Sequence, residues 1–418
     1  MRRRDVLRFA GVVPAATLTA WLAGCDPDPA APVVGETGDG PGDLLVVRTE
    51  DGLALVDANL ARMVAEPRAG VEAYNGFAYA TSVAGARTTV GVTRSTGRSL
   101  YQSEVDGAWL ARAILPDGRL VALADVAETM PAGRGSTTIV LADERGERKR
   151  FALPGCVEPE AFSAAADYLY VLDYLPPEAP DRYRVRALNL GTGSFQPLLT
   201  RDKQVVPPGA EDEMRGEGRQ AVYVQQNEFL FTLYTHQPDH EHTRDLIAAR
   251  PGAPDVHAFV HSLNLSGGFA YCIDLPAPFG EGPPEGHVIA VAPNSTDPIV
   301  VDTTSGAVAE LDGEELAVRA VAAIPPTNQD GPTSAVLNGL LFLGRGMTVR
   351  GIRPEGYGVV FEWPMPSPVR GLGLSANRRR LWVGQEASVV AYDVASGQRL
   401  AAVKVPGLVD IEAVGARS

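Results

Sequence analysis

An all-β fold of repeating four-stranded sheets is what this 418-residue sequence predicts, on three observations. One stretch, 369–406, breaks cleanly into four short β-rich runs separated by tight-turn residues. Similar stretches recur at roughly 35–50-residue spacing, the period of a radial repeat. The first run of the chain lacks one strand of such a unit, and the last run supplies a lone strand. Together these describe a β-propeller whose two ends share one blade. Such a ring removes the sheet edges that would otherwise invite aggregation.

Taken in order, the run 44–64 (LLVVRTEDGLALVDANLARMV) supplies three strands and no first one. The next unit begins near Val71, turning at Asn75-Gly76 and later at Ser95-Thr96-Gly97. Another begins near Leu110 and turns at Pro116-Asp117-Gly118. Others start near Pro159, Arg219, Gly286 and Thr333, the last turning at Asn338-Gly339. In the clearest unit the runs are 369–374, 381–383, 388–392 and 399–405, with turns at Asn377-Arg378 and Ala395-Ser396-Gly397. The closing strand is 408–414 (LVDIEAV). Repeat counting gives eight blades over 43–418. Seven is the alternative, because the unit from 286 to 325 carries the weakest pattern.

Ahead of the repeats, Arg2-Arg3-Arg4-Asp5-Val6-Leu7-Arg8 precedes an apolar stretch from Phe9 to Leu22. A charged start, a short apolar stretch and small residues form a secretory signal over 1–24, too short to span a bilayer. Arg3-Arg4-Asp5-Val6-Leu7 resembles the twin-arginine pattern. Leu22-Ala23-Gly24-Cys25 resembles the bacterial lipobox, which implies that Cys25 is lipidated and becomes the mature N-terminus. Residues 25–42 are rich in Pro, Gly, Ala and Asp and read as a flexible stalk. The expected location is the outer face of the cytoplasmic membrane, with the lipid as the membrane contact.

The pattern LWVGQ…SVVAYDVASGQRLAAVKV at 381–405 resembles the YVTN-type repeat, related in architecture to quinoprotein and lactonase-type propellers. The match is good for the last unit and fair for those near Thr333 and Leu110. The chain also resembles high-GC Gram-positive lipoproteins of unestablished activity. These resemblances imply architecture rather than chemistry. A quinoprotein would show a regular Trp pattern, and four Trp do not make one.

Net charge is −14, and residues 1–24 hold four Arg against one Asp, so the remainder is more acidic still. That surface repels phosphate backbones, which argues against nucleic acid as a partner. With Cys25 assigned to lipid, Cys156 and Cys272 either pair or stay as thiols. No nucleophile elbow, phosphate loop or HExxH helix is present.

Propeller geometry places the first strand of each blade on the central channel. Aligning those strands predicts a mouth ring of Glu72, Arg112, Glu160, Gln220, His287, Ser334, Arg370 and Asp410. Such a ring either binds a small polar ligand or pairs internally with water. Long insertions at 174–182, 201–218, 234–255 and 274–285 all open on one face, as a built-up binding surface does. All six histidines lie between 236 and 287. His236, Asp239, His240 and His242 form a candidate site for a divalent transition metal, since imidazole and carboxylate together suit Zn, Cu or Fe. His257 and His261 stand ~13 Å apart along one strand, too far to share an ion. The acidic stretch Glu211 to Glu217 reads as a solvated loop, with calcium the other option. The leading expectation is a non-catalytic binding or scaffold protein for a protein, glycan or small ligand. The alternative is a metal-dependent hydrolase or lactonase-like enzyme built on the His-rich loop, with His287 and Glu160 near the channel.

Overall fold

The computed structural model describes residues 42–125, 133–215, 220–237, 240–250 and 258–416. Cys25, the signal, the stalk up to 41, Asp239, Glu217 and His257 lie outside the described residues. Eight separate four-stranded antiparallel sheets account for every named strand. The chain is therefore an eight-bladed propeller, and the weakly patterned unit forms a full blade from His287–Val291 to Ala317–Ala323.

Seven blades are strictly sequential, running from inner to outer strand. The eighth sheet joins Asp43–Thr49, Gly52–Asp57 and Arg62–Arg68 to the C-terminal Leu408–Ala416. In it Val47 faces Ile411 and Arg48 faces Asp410, so the chain ends meet on the innermost pair. The indole N–H of Trp382, in the preceding blade, donates to the buried Asp43 carboxylate at 2.9 Å and ties that blade to the seam.

Local chemistry explains the hairpins. The amide of Phe77 donates to the Asn75 side chain while Gly76 takes φ +70°, the pairing a tight turn needs. Burial grades outward along each blade. The second strand of one blade, Phe229–Tyr234, is buried at every position, so it reads as a nearly continuous apolar run. The outermost strands Arg62–Arg68 and Val359–Pro364 are half exposed, and Pro and charged residues on them discourage further strand pairing.

The core is eight clusters, one at each blade-to-blade interface. Val90 and Val92 of the second blade meet Ile114 and Leu123 of the third, and Leu45 and Val56 meet Trp382 and Val389 across the closing seam. Cohesion is thus distributed around the ring instead of residing in one centre.

A candidate metal centre on the fifth blade

The fifth blade comprises Gln220–Val224, Phe229–Tyr234, Phe259–Asn264 and Phe269–Asp274. Its second and third strands are joined through the His-rich insertion, which contains a short helix α1, Thr243–Ala248. Cys272 lies on the outermost strand, paired with His261. Asp212 lies on the connection that leads into the blade from its neighbour. These segments bring Asp212, His240, His242 and Cys272 together, with one donor atom of each within 4.8 Å of all the others.

Asp212 is held on three sides. Arg182, Arg184 and Arg186 alternate along the strand Arg182–Asn189 and so share one face. Arg182 pairs with Glu213 at 2.6 Å, Arg184 with Glu211 at 2.8 Å and Arg186 with Glu211 at 3.1 Å. Tyr183 and Met214 exchange both backbone hydrogen bonds, at 3.0 and 2.8 Å. From the third side, the amide of Thr243 donates to Asp212 Oδ1 at 2.5 Å, and the Asp212 amide donates to Thr243 Oγ1 at 3.2 Å. Of the stretch Glu211 to Glu217 only 211–215 are described, and there Glu211 is largely withdrawn from water and both Glu211 and Glu213 are held in ion pairs, because the facing strand supplies an arginine at every second position.

Both imidazoles are buried and oriented. His240 Nδ1 lies 3.1 Å from the Glu213 carbonyl, which can only accept, so that nitrogen carries the proton. Its Nε2 is buried with no hydrogen-bond partner. The ring stacks on Phe259 at 4.3 Å and meets the His242 ring at 4.6 Å. Burial, partly countered by Asp212, pushes the His240 pKa down to about 4, which leaves the ring neutral and ready to ligate at neutral pH. His242 Nε2 approaches Asp274 Oδ1 at 2.5 Å, while its Nδ1 faces Asp212 Oδ1 at 4.0 Å. Cys272 Sγ lies 3.5 Å from Asp212 Oδ2. Burial and the neighbouring Asp212 carboxylate raise the thiol far above its ordinary range, so a metal would have to displace its proton. Cys156 and Cys272 are both buried and are not joined to each other by a disulfide.

A thiolate, two imidazoles and one carboxylate are a zinc-type donor set. Bond lengths of about 2.0–2.3 Å place donors of a tetrahedral ion roughly 3.3–3.8 Å apart, so the four groups need to close by only about 1 Å. A cavity of about 20 Å³, bounded by Glu211, Asp212, Met214, Thr243, His261 and Ala270 among others, adjoins the group. It has room for about one water molecule.

The other predicted residues fall elsewhere. His236 does not join this group. It bonds Thr235 Oγ1 at 3.0 Å and its ring sits 6.3 Å from His287. His287 is fully buried with both ring nitrogens occupied, Nε2 accepting from the Gly280 amide at 2.9 Å and Nδ1 donating to the Pro283 carbonyl at 3.1 Å. Gln220 donates to the His287 carbonyl at 2.7 Å, which links adjacent inner strands. Arg112 pairs with Glu158 at 3.6 Å, and Arg370 donates to the Leu408 carbonyl at 2.7 Å. Glu72, Glu160, Ser334 and Asp410 are buried, each with a partner. Arg112 and Glu160 occupy bulges in their strands, which re-aims them relative to the regular alternation.

Asp212 and Cys272 carry no spacing signal toward the histidines. The one legible clue is complementarity, since arginines at 182, 184 and 186 match acids at 211 and 213.

No family model and no curated protein matches the sequence. Among solved structures, the chain is similar to apo AztD from Citrobacter koseri. TM-score is 0.53 at 12% identity, over 91% of this chain and 99% of that one. It is also similar to the dihydro-heme d1 dehydrogenase NirN in complex with DHE. There the TM-score is 0.51 at 11% identity, over 95% of this chain and 78% of that one. At such identities the likeness concerns the propeller fold alone.

Proposed function

We propose that this is an exported, lipid-anchored binding protein whose looped face takes up a divalent transition metal of the zinc class. The observation that carries this reading is the largely buried quartet Asp212, His240, His242 and Cys272, in which His240 Nε2 and both ring nitrogens of His242 lack an aligned hydrogen bond. A buried imidazole nitrogen left unpaired costs free energy unless something accepts its lone pair. Four protein donors also leave no open position for a substrate, and the adjoining cavity admits one water. Binding therefore fits better than the hydrolase reading. The anchor rests on the lipobox ending at Cys25 and the basic, apolar leader before it.

The test is metal analysis of the purified full chain, followed by titration of the chelator-treated protein with Zn²⁺. One equivalent bound tighter than micromolar is expected, and His240→Ala with His242→Ala abolishes it. Absence of a stoichiometric transition metal after both loading routes sinks the proposal. Lipidation is checked separately by mass analysis of the mature N-terminal peptide, in which Cys25→Ala removes the diacylglyceryl mass.

A further inference from the structure

We infer that the Arg244–Asp274 pair is a positioning device that fixes the coordination mode, so that His242 offers Nδ1 and His240 offers Nε2 to one zinc-class ion completed by Asp212 and Cys272. This rests on the metal-binding reading above and adds what decides the donor atoms.

The argument starts from strand geometry. Cys272 and Asp274 are two residues apart on Phe269–Asp274, so both side chains leave the same face of the strand. Cys272 meets Asp212. Asp274, one step beyond, meets His242 Nε2 at 2.5 Å. The contact is an ion pair without an aligned hydrogen bond; because a carboxylate only accepts, at this distance the Nε2 proton belongs on the Asp274 side, which leaves the Nδ1 lone pair for the ion. Neither nitrogen of His242 has an aligned hydrogen bond, and what separates them is the neighbour: Nε2 lies against Asp274, whereas Nδ1 faces Asp212 across 4.0 Å, inside the donor group. His240 reaches the opposite outcome by the same logic. Its Nδ1 proton goes to the Glu213 carbonyl, and Nε2 is the buried, unpartnered nitrogen.

Arg244 makes the arrangement rigid. It sits in the first turn of α1, whose N-cap residue is His242. One guanidinium nitrogen donates to the Cys272 carbonyl at 2.7 Å, and the other to Asp274 Oδ2 at 2.5 Å. The side chain therefore locks the segment carrying His242 to the strand carrying Cys272. Its charge also compensates Asp274 beside a site that already contains a second carboxylate. A histidine ligand backed by a carboxylate is the usual outer-shell device of zinc sites, and losing the outer partner typically weakens binding about 10–100-fold.

The experiment uses the full chain, stripped and reloaded with Co²⁺ or Zn²⁺. The wild type is expected to bind one Co²⁺ with the intense visible bands of a tetrahedral centre and a thiolate charge-transfer band. Asp274→Asn should bind about 10–100-fold more weakly while retaining that spectrum, because no donor atom is removed. His242→Ala should change the spectrum itself. Long-range ¹H–¹⁵N correlation of the Zn²⁺-loaded, histidine-labelled protein should show His242 metallated at Nδ1 and His240 at Nε2, a readout that a merely structural role would not move. Should Asp274→Asn fail to fold, Arg244→Gln carries the same expectation of weaker binding with an unchanged spectrum. Metal bound through Nε2 of His242, or an unchanged affinity in the folded variants, overturns the inference while leaving metal binding intact. A wild type that binds no metal overturns both.

Discussion

Metal loading should raise the thermal stability of this protein by an amount that can be worked out beforehand. An ion that binds the folded chain and not the unfolded one contributes about 2.7 kcal/mol at a free concentration a hundred times its Kd. Unfolding entropy of about 2.1 cal/mol/K per residue gives roughly 0.8 kcal/mol/K for a propeller of this size. The midpoint should therefore move up by about 3–4 °C under those conditions. If Cys272→Ser weakens binding a hundredfold, the same ion concentration supplies only about 0.4 kcal/mol, or roughly 0.5 °C. The variant's own baseline stability cancels, because each shift is read against the same variant without metal. That matters here, since Cys272 is buried and a hydroxyl in its place carries its own cost. Differential scanning calorimetry with and without Zn²⁺ is the assay, with Mg²⁺ as control because a site with one carboxylate and soft donors suits it poorly. Equal shifts in wild type and Cys272→Ser, or an equal shift with Mg²⁺, would refute the assignment of these donors.

Three further outcomes are expected from the fold. Trp382→Phe removes the donor to the buried Asp43 carboxylate and should cost about 1.5–3 kcal/mol in urea unfolding; a loss within error would mean the seam does not depend on that bond. Gly371→Ala should destabilise by several kcal/mol, of which roughly 1–3 kcal/mol is backbone strain. Gly371 sits at φ +150°, and a Cβ there would lie 2.1 Å from Asp410 Oδ1 and 2.6 Å from the Ile411 amide. A variant as stable as wild type would show that the two inner strands can separate. Metal-free protein should lose stability as pH falls below about 6.5, because burial lowers the His287 pKa from that ordinary value and the unfolded chain takes the proton first. Above that pH the contribution is complete, and below the folded-state pKa the decline levels off. His287→Gln should flatten part of this slope in pH-dependent denaturant melts, and an unchanged slope would place its origin elsewhere.

The ring itself was legible because its determinants are local. Turn pairs such as Asn75-Gly76 and Asn338-Gly339, the short β-rich run 388–392 and the incomplete first unit at 44–64 each report on a few adjacent residues. A propeller repeats those reports at a fixed period, so unit starts near Val71, Leu110, Pro159, Arg219, Gly286 and Thr333 fall within a few residues of the first strands observed. The weak unit became a full blade because its neighbours on both sides bury it, a condition absent from its own sequence. The histidine loop was also visible as composition, and it contributes His240 and His242 to the centre.

Only the tertiary structure could choose their partners. Asp212 and Cys272 are 60 residues apart and reach one point because the arginines of a neighbouring strand draw Glu211 and Glu213 down while strand pairing sets Cys272 opposite His261. Likewise His236, close to His240 in sequence, turns toward His287. Short-range chemistry writes the strands and turns into the chain, whereas a donor set drawn from three segments exists only once packing has brought those segments together.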